Sequence, residues 1–211
     1  MSEKLEVYDM DSNLVEILDR KKFYDQIKSD FAISGKINTK VKTIRLLLMN
    51  SSGRIYLQKR SSLKEENPGL YDKTVGGHVS AGDSFSITVI RECAEELGFP
   101  AAIVDPKEFE NAVRVTDLHI IGIFKKVDYL PNFQGKRISR DGNFFVQPLM
   151  TSMYIGYYDG PIRFVDGESS GIEVFSLAEL QHELATHPNK FTEDVTFMIK
   201  KYEKFLVPIQ A

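Results

Sequence analysis

Apolar and polar positions along this chain fall into short strand-like runs, a few helical stripes and polar breaks. Residues 4–8 (KLEVY) predict a short strand, and Asp9 to Asn13 a turn. Residues 21–32 (KKFYDQIKSDFA) place Phe23, Ile27 and Phe31 four apart, the spacing of an amphipathic helix. SGKINTK reads as a loop. Residues 41–49 (VKTIRLLLM), an NSSG turn and residues 54–60 (RIYLQKR) predict a hairpin. A loop follows over 61–70, broken by Pro68-Gly69, and the glycines 76, 77 and 82 predict tight irregular backbone over 71–83. Residues 84–97 predict a helix, with Asp83 or Ser84 capping its start and Gly98 and Pro100 ending it. Strands are expected at 118–126, 149–158 and 161–165, with a long polar loop at 128–145. Loops of that length are usually functional or mobile. Near the end, Ser176 caps LAELQHELATH, and Thr192 opens TEDVTFMIKKYEKFL with Glu193 and Asp194 in its first turn. Strands, one helix, strands, then helices predict an α/β chain with a mixed sheet between helices.

Composition narrows the class without naming an activity. The 211 residues fit one domain, 1–211, with residues 1–36 as an N-terminal strand and helix extension. Lys and Arg number 27 against 30 Asp and Glu, a net charge of −3, where a general nucleic-acid binder would carry a basic excess; no nucleic-acid partner is expected. No run of 18 apolar residues occurs, so no membrane span is expected. The start, MSEKLEVYDMDSNL, lacks the charged-then-apolar pattern of an export signal, and a cytoplasmic location is expected. The single cysteine excludes an intramolecular disulfide and suits a reducing compartment.

The chemistry is concentrated in residues 77–99, GHVSAGDSFSITVIRECAEELGF. On a helix Glu92, Glu95 and Glu96 stand at i, i+3 and i+4, which puts three carboxylates on one face. Such a run taken alone is most often a solvated charged face. It is also the donor set a hard divalent cation takes, and the glycine-rich loop ahead of it allows close backbone approach and carbonyl ligands. The other face offers Ile87, Val89, Ile90, Cys93 and Leu97 to the core.

The register of loop and helix resembles the signature of the Nudix hydrolase family. Gly77, five residues, Asp83, seven residues and then Arg91-Glu92-Cys93-Ala94-Glu95-Glu96-Leu97-Gly98-Phe99 follow its spacing. Asp83 stands where the family has glutamate, and Cys93 where it has an aliphatic residue; a buried cysteine is a small hydrophobe. The resemblance implies an α/β/α sandwich with a mixed β-sheet and a loop–helix–loop over 77–99. It implies Mg²⁺ or Mn²⁺ held by Glu92, Glu95, Glu96 and the Gly77 carbonyl, with Arg91 orienting the glutamates and Glu92 helping to deprotonate water. The reaction implied is hydrolysis of a small-molecule diphosphate, such as a nucleoside diphosphate linked to another moiety.

Residues 50–84 resemble a narrower branch, related to isopentenyl-diphosphate isomerase, in which an arginine and a lysine four residues on contact the diphosphate. Arg60 and Lys64 have that spacing, with a solvated loop as the alternative. The isomerase cysteine position, two before His78, holds Gly76, and residues 1–77 contain no histidine. His78 either contacts substrate or hydrogen-bonds within its loop. The alternatives to a hydrolase are a diphosphate-binding module of low turnover and an isomerase-like enzyme. Glu168 is a further candidate acid. Lys136, Arg137 and Arg140 read as a phosphate clamp, a homodimer contact or a mobile basic loop. Phe144 and Phe145 read as core or as a stacking pair.

Overall fold

The computed structural model describes residues 2–163 and 169–209. In chain order the elements are β1 (Lys4–Tyr8), β2 (Leu14–Asp19), α1 (Arg20–Ser34), β3 (Lys40–Met49), β4 (Ile55–Arg60), β5 (Tyr71–Asp72), β6 (Val75–His78) and α2 (Phe85–Glu92). They continue with β7 (Ala101–Ile103), α3 (Phe109–Val115), β8 (Gly122–Ile138), β9 (Phe144–Tyr157), β10 (Ser169–Phe175), α4 (Leu177–Thr186) and α5 (Glu193–Tyr202). A π-helical turn, Cys93–Leu97, extends α2.

Ten strands form one sheet in the order β10-β4-β3-β9-β8-β7, with β1, β2, β5 and β6 attached beside that path. The sheet is mixed: β3 pairs parallel with β9, and β7 parallel with β8, while the other pairs are antiparallel. Strand β3, with seven consecutive buried residues from Thr43 to Met49, is the pivot. One edge runs along β9 from Val41 to Met49. The other is shared in succession by β1, β6 and β4.

Alternation along β3 sends its side chains into two cores. Leu47 and Met49 pack with Val195, Met198 and Ile199 of α5, Leu180 of α4 and Val113 of α3. Ile44, Leu46 and Leu48 pack with Val89, Cys93, Leu97 and Phe99 of the signature segment. Helices therefore cover both faces, the α/β sandwich expected of the pattern. A third cluster joins Phe23 and Ile27 of α1 to Leu5, Val7 and Leu149.

Several elements differ from the sequence expectation. Residues 128–145 are not a loop: β8 and β9 run as an antiparallel ribbon from Ile123↔Tyr157 to Ile138↔Phe144, bulged near Asp128 and Leu130, and only the tip at 139–143 turns. Both faces of the outer ribbon carry polar residues, so no alternation marks it. The strand expected at 118–126 begins at Gly122, and residues 161–163 are not strand, the rest of that stretch lying outside the described residues. Ile87 and Ile90, expected in the core, are 52% and 41% exposed; the buried stripe is Val89, Cys93 and Leu97, four apart. Phe144 is exposed, while Phe145 is half-buried against Phe31.

Candidate active site

A cavity of about 910 Å³ is lined by residues of α1, β3, β6, α2, β8 and the start of α5. It receives the sequence-selected Gly77, His78, Arg91, Glu92, Glu95, Glu96, Arg60 and Lys64, together with Lys136 and Arg137. Arg140 is not among the lining residues and donates to the carbonyls of Lys64 and Ser62 at 3.1 Å each. Glu168 lies outside the described residues.

The acidic wall is built by β6 and α2. The Ser84 hydroxyl accepts from the Ile87 amide at 3.2 Å and starts α2, so the cap is Ser84 rather than Asp83. The chain then leaves the α-helix at Cys93 for a π-helical turn closed by Gly98 in the left-handed region at φ 76°. Wide turns of this kind are frequent at functional sites. Glu92 is buried, Glu95 exposed and Glu96 intermediate. The Glu92 carboxylate lies against the backbone of β6, where a Cβ at Gly77 would stand 2.6 Å from its Oε1. Glycine is what permits that approach.

Arg91 bridges the wall: its Nη2 is 3.2 Å from Glu92 Oε1 and its Nη1 3.4 Å from Glu95 Oε2. Its Nη2 also donates to the His78 carbonyl at 3.5 Å. Burial pushes the Glu92 carboxyl up to about 7, against the pull of Arg91 and with the push of Glu95. Among the described residues, no three Asp, Glu, His or Cys side chains are gathered as they stand into a set that would hold a metal ion. The Arg91 guanidinium lies between Glu92 and Glu95 and pairs with both. The donor chemistry nonetheless fits a hard cation: carboxylate oxygens and the glycine backbone meet at one cavity wall.

His78 closes the middle of the cavity. Its Nε2 is 2.7 Å from the Tyr24 hydroxyl. Burial holds the imidazole well below its ordinary range, and Arg20, Arg137, Arg45 and Lys73 add to that. Arg137 donates from Nη2 to Tyr24 at 3.0 Å and from Nε to Gln147 Oε1 at 3.0 Å, and it pairs with Glu66. It is thus a fixed wall residue rather than part of a mobile loop. Lys136 pairs with Glu193 at 2.7 Å. Arg60 is the last residue of β4; its Nε and Nη2 donate to the Glu66 carbonyl at 3.1 and 2.8 Å, and its Nη1 to Asp72 at 3.3 Å.

The floor is a buried ion network that sequence spacing does not reveal. Asp194 accepts from Arg45 Nε at 2.7 Å and lies 3.1 Å from Lys73 Nζ. Lys73 also reaches Asp72 Oδ1 at 3.0 Å, and Asp72 accepts from the Thr192 hydroxyl at 2.8 Å. Burial alone would raise the Asp194 carboxyl; Arg45 and Lys73 outweigh it and hold the group far below the ordinary range. Gly76 belongs to this floor. A Cβ there would lie 2.3 Å from Lys73 Cε, so the lysine chain occupies the space into which a side chain at 76 would project. Lys73, Asp72, Asp194, Arg45, Arg20 and Tyr24 were not legible as site residues; a buried charge inside β3, as in VKTIRLLL, was the one available signal.

Cys93 is fully buried in the core and burial pushes its thiol up, so it is a packing residue. Among the described residues no helix is long and apolar enough to cross a membrane.

Comparison with known proteins agrees with this layout. An uncharacterized Nudix hydrolase of Pseudomonas aeruginosa is 39% identical over 59 residues, 28% of this chain and 35% of that protein. An isopentenyl-diphosphate Delta-isomerase of Serratia proteamaculans is 23% identical over 170 residues, 77% of this chain and 80% of its own. The chain spans 35% and 58% of the length of two uncharacterized Nudix hydrolases it matches. Among solved structures, DR0079 of Deinococcus radiodurans superposes with a TM-score of 0.63 at 17% identity, covering 94% of this chain and 98% of the other. The NUDIX domain of Shewanella oneidensis NrtR, solved with ADP ribose, gives 0.50 at 13% identity over 84% and 98%. Those likenesses establish the fold. The NUDIX domain model matches residues 39–195, which takes in β3 through the first turn of α5 and every residue of the acidic wall, and on that match the chain belongs to the Nudix family.

Proposed function

We propose that this chain is a divalent-cation-dependent hydrolase of small organic diphosphates. The observation that carries the reading is Glu92, a buried carboxylate pressed onto the Gly77 backbone at the cavity wall, with Glu95 and Glu96 on the turn that follows. Glu92, Glu95, Glu96 and the Gly77 carbonyl are the groups that would hold Mg²⁺ or Mn²⁺. When bound, such a cation neutralises phosphate oxygens and lowers the pKa of water.

The chain's own residues do the rest. The oxygen of water attacks one phosphorus, the bridging P–O bond breaks, and the departing phosphate keeps the electron pair. The proton released by water passes to Glu92, whose carboxyl burial raises in the metal-free chain. Arg91 fixes the direction of Glu92 and Glu95. Arg60, Lys64 and neutral His78 line the same cavity and would contact the substrate.

The isomerase-named relative that matches 77% of the chain favours a second reading, isomerisation of an allylic diphosphate. Position 76 weighs against it, because it holds glycine and supplies no thiol. The test is a panel of diphosphates with phosphate release followed at millimolar Mg²⁺ or Mn²⁺. Glu92→Gln and Glu96→Gln are expected to abolish hydrolysis while circular dichroism stays native. Near-normal turnover in both, or allylic product from isopentenyl diphosphate, overturns the reading.

A further inference from the structure

One cation on the cavity floor keeps part of its hydrogen-bonding capacity unused. Arg45 is 5% exposed and lines the cavity. Its Nε donates to Asp194 Oδ2 at 2.7 Å, and its Nη1 to the hydroxyls of Thr43 and Thr151 at 3.1 and 3.0 Å. The guanidinium also lies over the Phe133 ring at 4.3 Å. These partners fix its plane. The remaining nitrogen, Nη2, donates to nothing among the described residues. It is not sealed off, since the enclosed side-chain atoms left without a partner there are Gln147 Nε2 and Ser152 Oγ. Buried polar groups are as a rule hydrogen-bonded, so an N–H pair that the chain leaves without an acceptor is open to one from outside.

Gly135 of β8 keeps that nitrogen uncovered. A Cβ there would stand 3.4 Å from Arg45 Nη2 and 2.8 Å from Leu149 Cδ1, and all three residues line the cavity. The space beside Nη2 is therefore a slot with one aliphatic wall. The acids of the floor, Asp72, Asp194 and Glu66, are each already bound to a lysine or an arginine, and Asp194 takes the Nε edge of the guanidinium rather than Nη2. In register Arg45 stands opposite Gly76, beside the Gly77 backbone on which Glu92 lies, so the slot and the acidic wall open on the same ligand space. A slot takes a flat acceptor edge-on. A carboxylate is flat and charged, and a charge-assisted hydrogen bond is about twice as strong as a neutral one. A tetrahedral phosphate brings the same charge with more bulk against Leu149, and an alkyl end leaves Nη2 unpaired.

We propose that Arg45, kept open by Gly135, is a specificity-determining residue that receives a carboxylate at the non-reacting end of the substrate. The inference rests on the diphosphate-hydrolase reading for the identity of the reacting end, and its test reads binding rather than turnover. Non-hydrolysable methylene bisphosphonates are compared by isothermal calorimetry at millimolar Mg²⁺ and about 150 mM salt, where weak surface electrostatics are screened. Their alkyl arms, graded in length, end in a carboxylate, a methyl group or a phosphonate. At the arm length that spans the cavity, the wild-type chain is expected to bind the carboxylate at least about tenfold more tightly than either other end. Gly135→Ala covers Nη2 and meets only the flexible end of Leu149, so it is expected to remove that advantage with the fold kept. Arg45→Lys keeps the charge beside Asp194 but lacks Nη2 and is expected to do the same. In each variant the methyl-armed ligand reports that the bisphosphonate seat is intact. Methyl-armed binding with no carboxylate advantage at any arm length, an advantage for the phosphonate, or an advantage that survives both variants overturns this proposal and leaves the hydrolase reading standing. A carboxylate advantage that both variants remove, in a chain that hydrolyses no diphosphate, overturns that reading and leaves this one. Binding of none of the ligands overturns both.

Discussion

Replacing Asp194 by asparagine removes one charge from the centre of the cavity floor and keeps the side chain's shape. Asp194 accepts from Arg45 Nε at 2.7 Å and lies 3.1 Å from Lys73 Nζ. The three side chains are 13%, 7% and 13% exposed, so water cannot take the place of the lost partner. At an effective dielectric near 20, each contact at ~3 Å carries about 5 kcal/mol of Coulomb attraction, most of it offset by the desolvation of the ions. Breaking a buried pair from one side costs about 3–5 kcal/mol. Lys73 keeps Asp72 and Arg45 keeps the hydroxyls of Thr43 and Thr151, so the lower end, about 3 kcal/mol, is expected. For a chain of this size that lowers Tm by ~6–12 °C. Urea titration at pH 7 measures the loss directly.

The pH dependence of the same variant checks the cause. Burial works to raise the Asp194 carboxyl, but Arg45 and Lys73 hold it far below its unfolded value, so the native state binds this proton less readily than the unfolded chain does. That contribution is fully present above the unfolded value of about 3.9 and is lost as pH falls toward the folded value. Wild-type stability should therefore drop on acidification below about pH 4, and the Asp194→Asn gap should narrow over the same window. An asparagine variant within about 1 kcal/mol of wild type at neutral pH, or a gap that stays constant into acid, would refute the assignment of the floor as a tightly held ion network.

Three further outcomes follow from the geometry. Because burial raises the Glu92 carboxyl to about 7 in the metal-free chain, that carboxyl should titrate near neutral pH when followed by NMR without divalent cation, and a carboxyl that titrates in the ordinary range near ~4.3 contradicts its burial. Gly76→Ala must displace Lys73, so Gly76→Ala and Lys73→Ala should couple by about 0.5–3 kcal/mol in a double-mutant cycle, and additivity within ~0.3 kcal/mol sinks the contact. Lys40 is fully buried and donates to the Met10 carbonyl, Ser12 Oγ and Asn132 Oδ1 at 2.9, 2.8 and 2.9 Å; Lys40→Met should cost at least about 2 kcal/mol and speed hydrogen exchange in residues 9–13, and neutral stability contradicts it.

The sequence by itself determined the parts that rest on local periodicity and on a contiguous motif. The four-residue spacing of Phe23 and Ile27 marked α1, the Ser176 cap marked α4, and the apolar run of β3 marked a strand of a hairpin. The register from Gly77 to Phe99 marked the loop and helix, because those residues are joined by chain and their mutual geometry follows from it. Phase failed even there: Ile87 and Ile90 are as apolar as Val89, and only the seat of α2 on β3 decides which stripe is buried. The outer ribbon of β8 and β9 was illegible because it is held by cross-strand hydrogen bonds, while Tyr129, Leu130, Phe133 and Ile138 follow no period of two among its polar residues.

The tertiary structure alone decided the cavity floor and the residues that close over it. Arg45 and Asp194 are 149 residues apart, and Tyr24 and Arg137 are 113 apart. Nothing local pairs them; β3, β8, α1 and α5 do so by packing. Charge balance is the clearest case. The chain's net charge of −3 is an average over both signs, and only the fold brings carboxylates, lysines and arginines together around one cavity. A linear pattern fixes which residues share a helix face or a strand face. Which distant charges end up within 3 Å in a low-dielectric interior depends on how those faces are packed together.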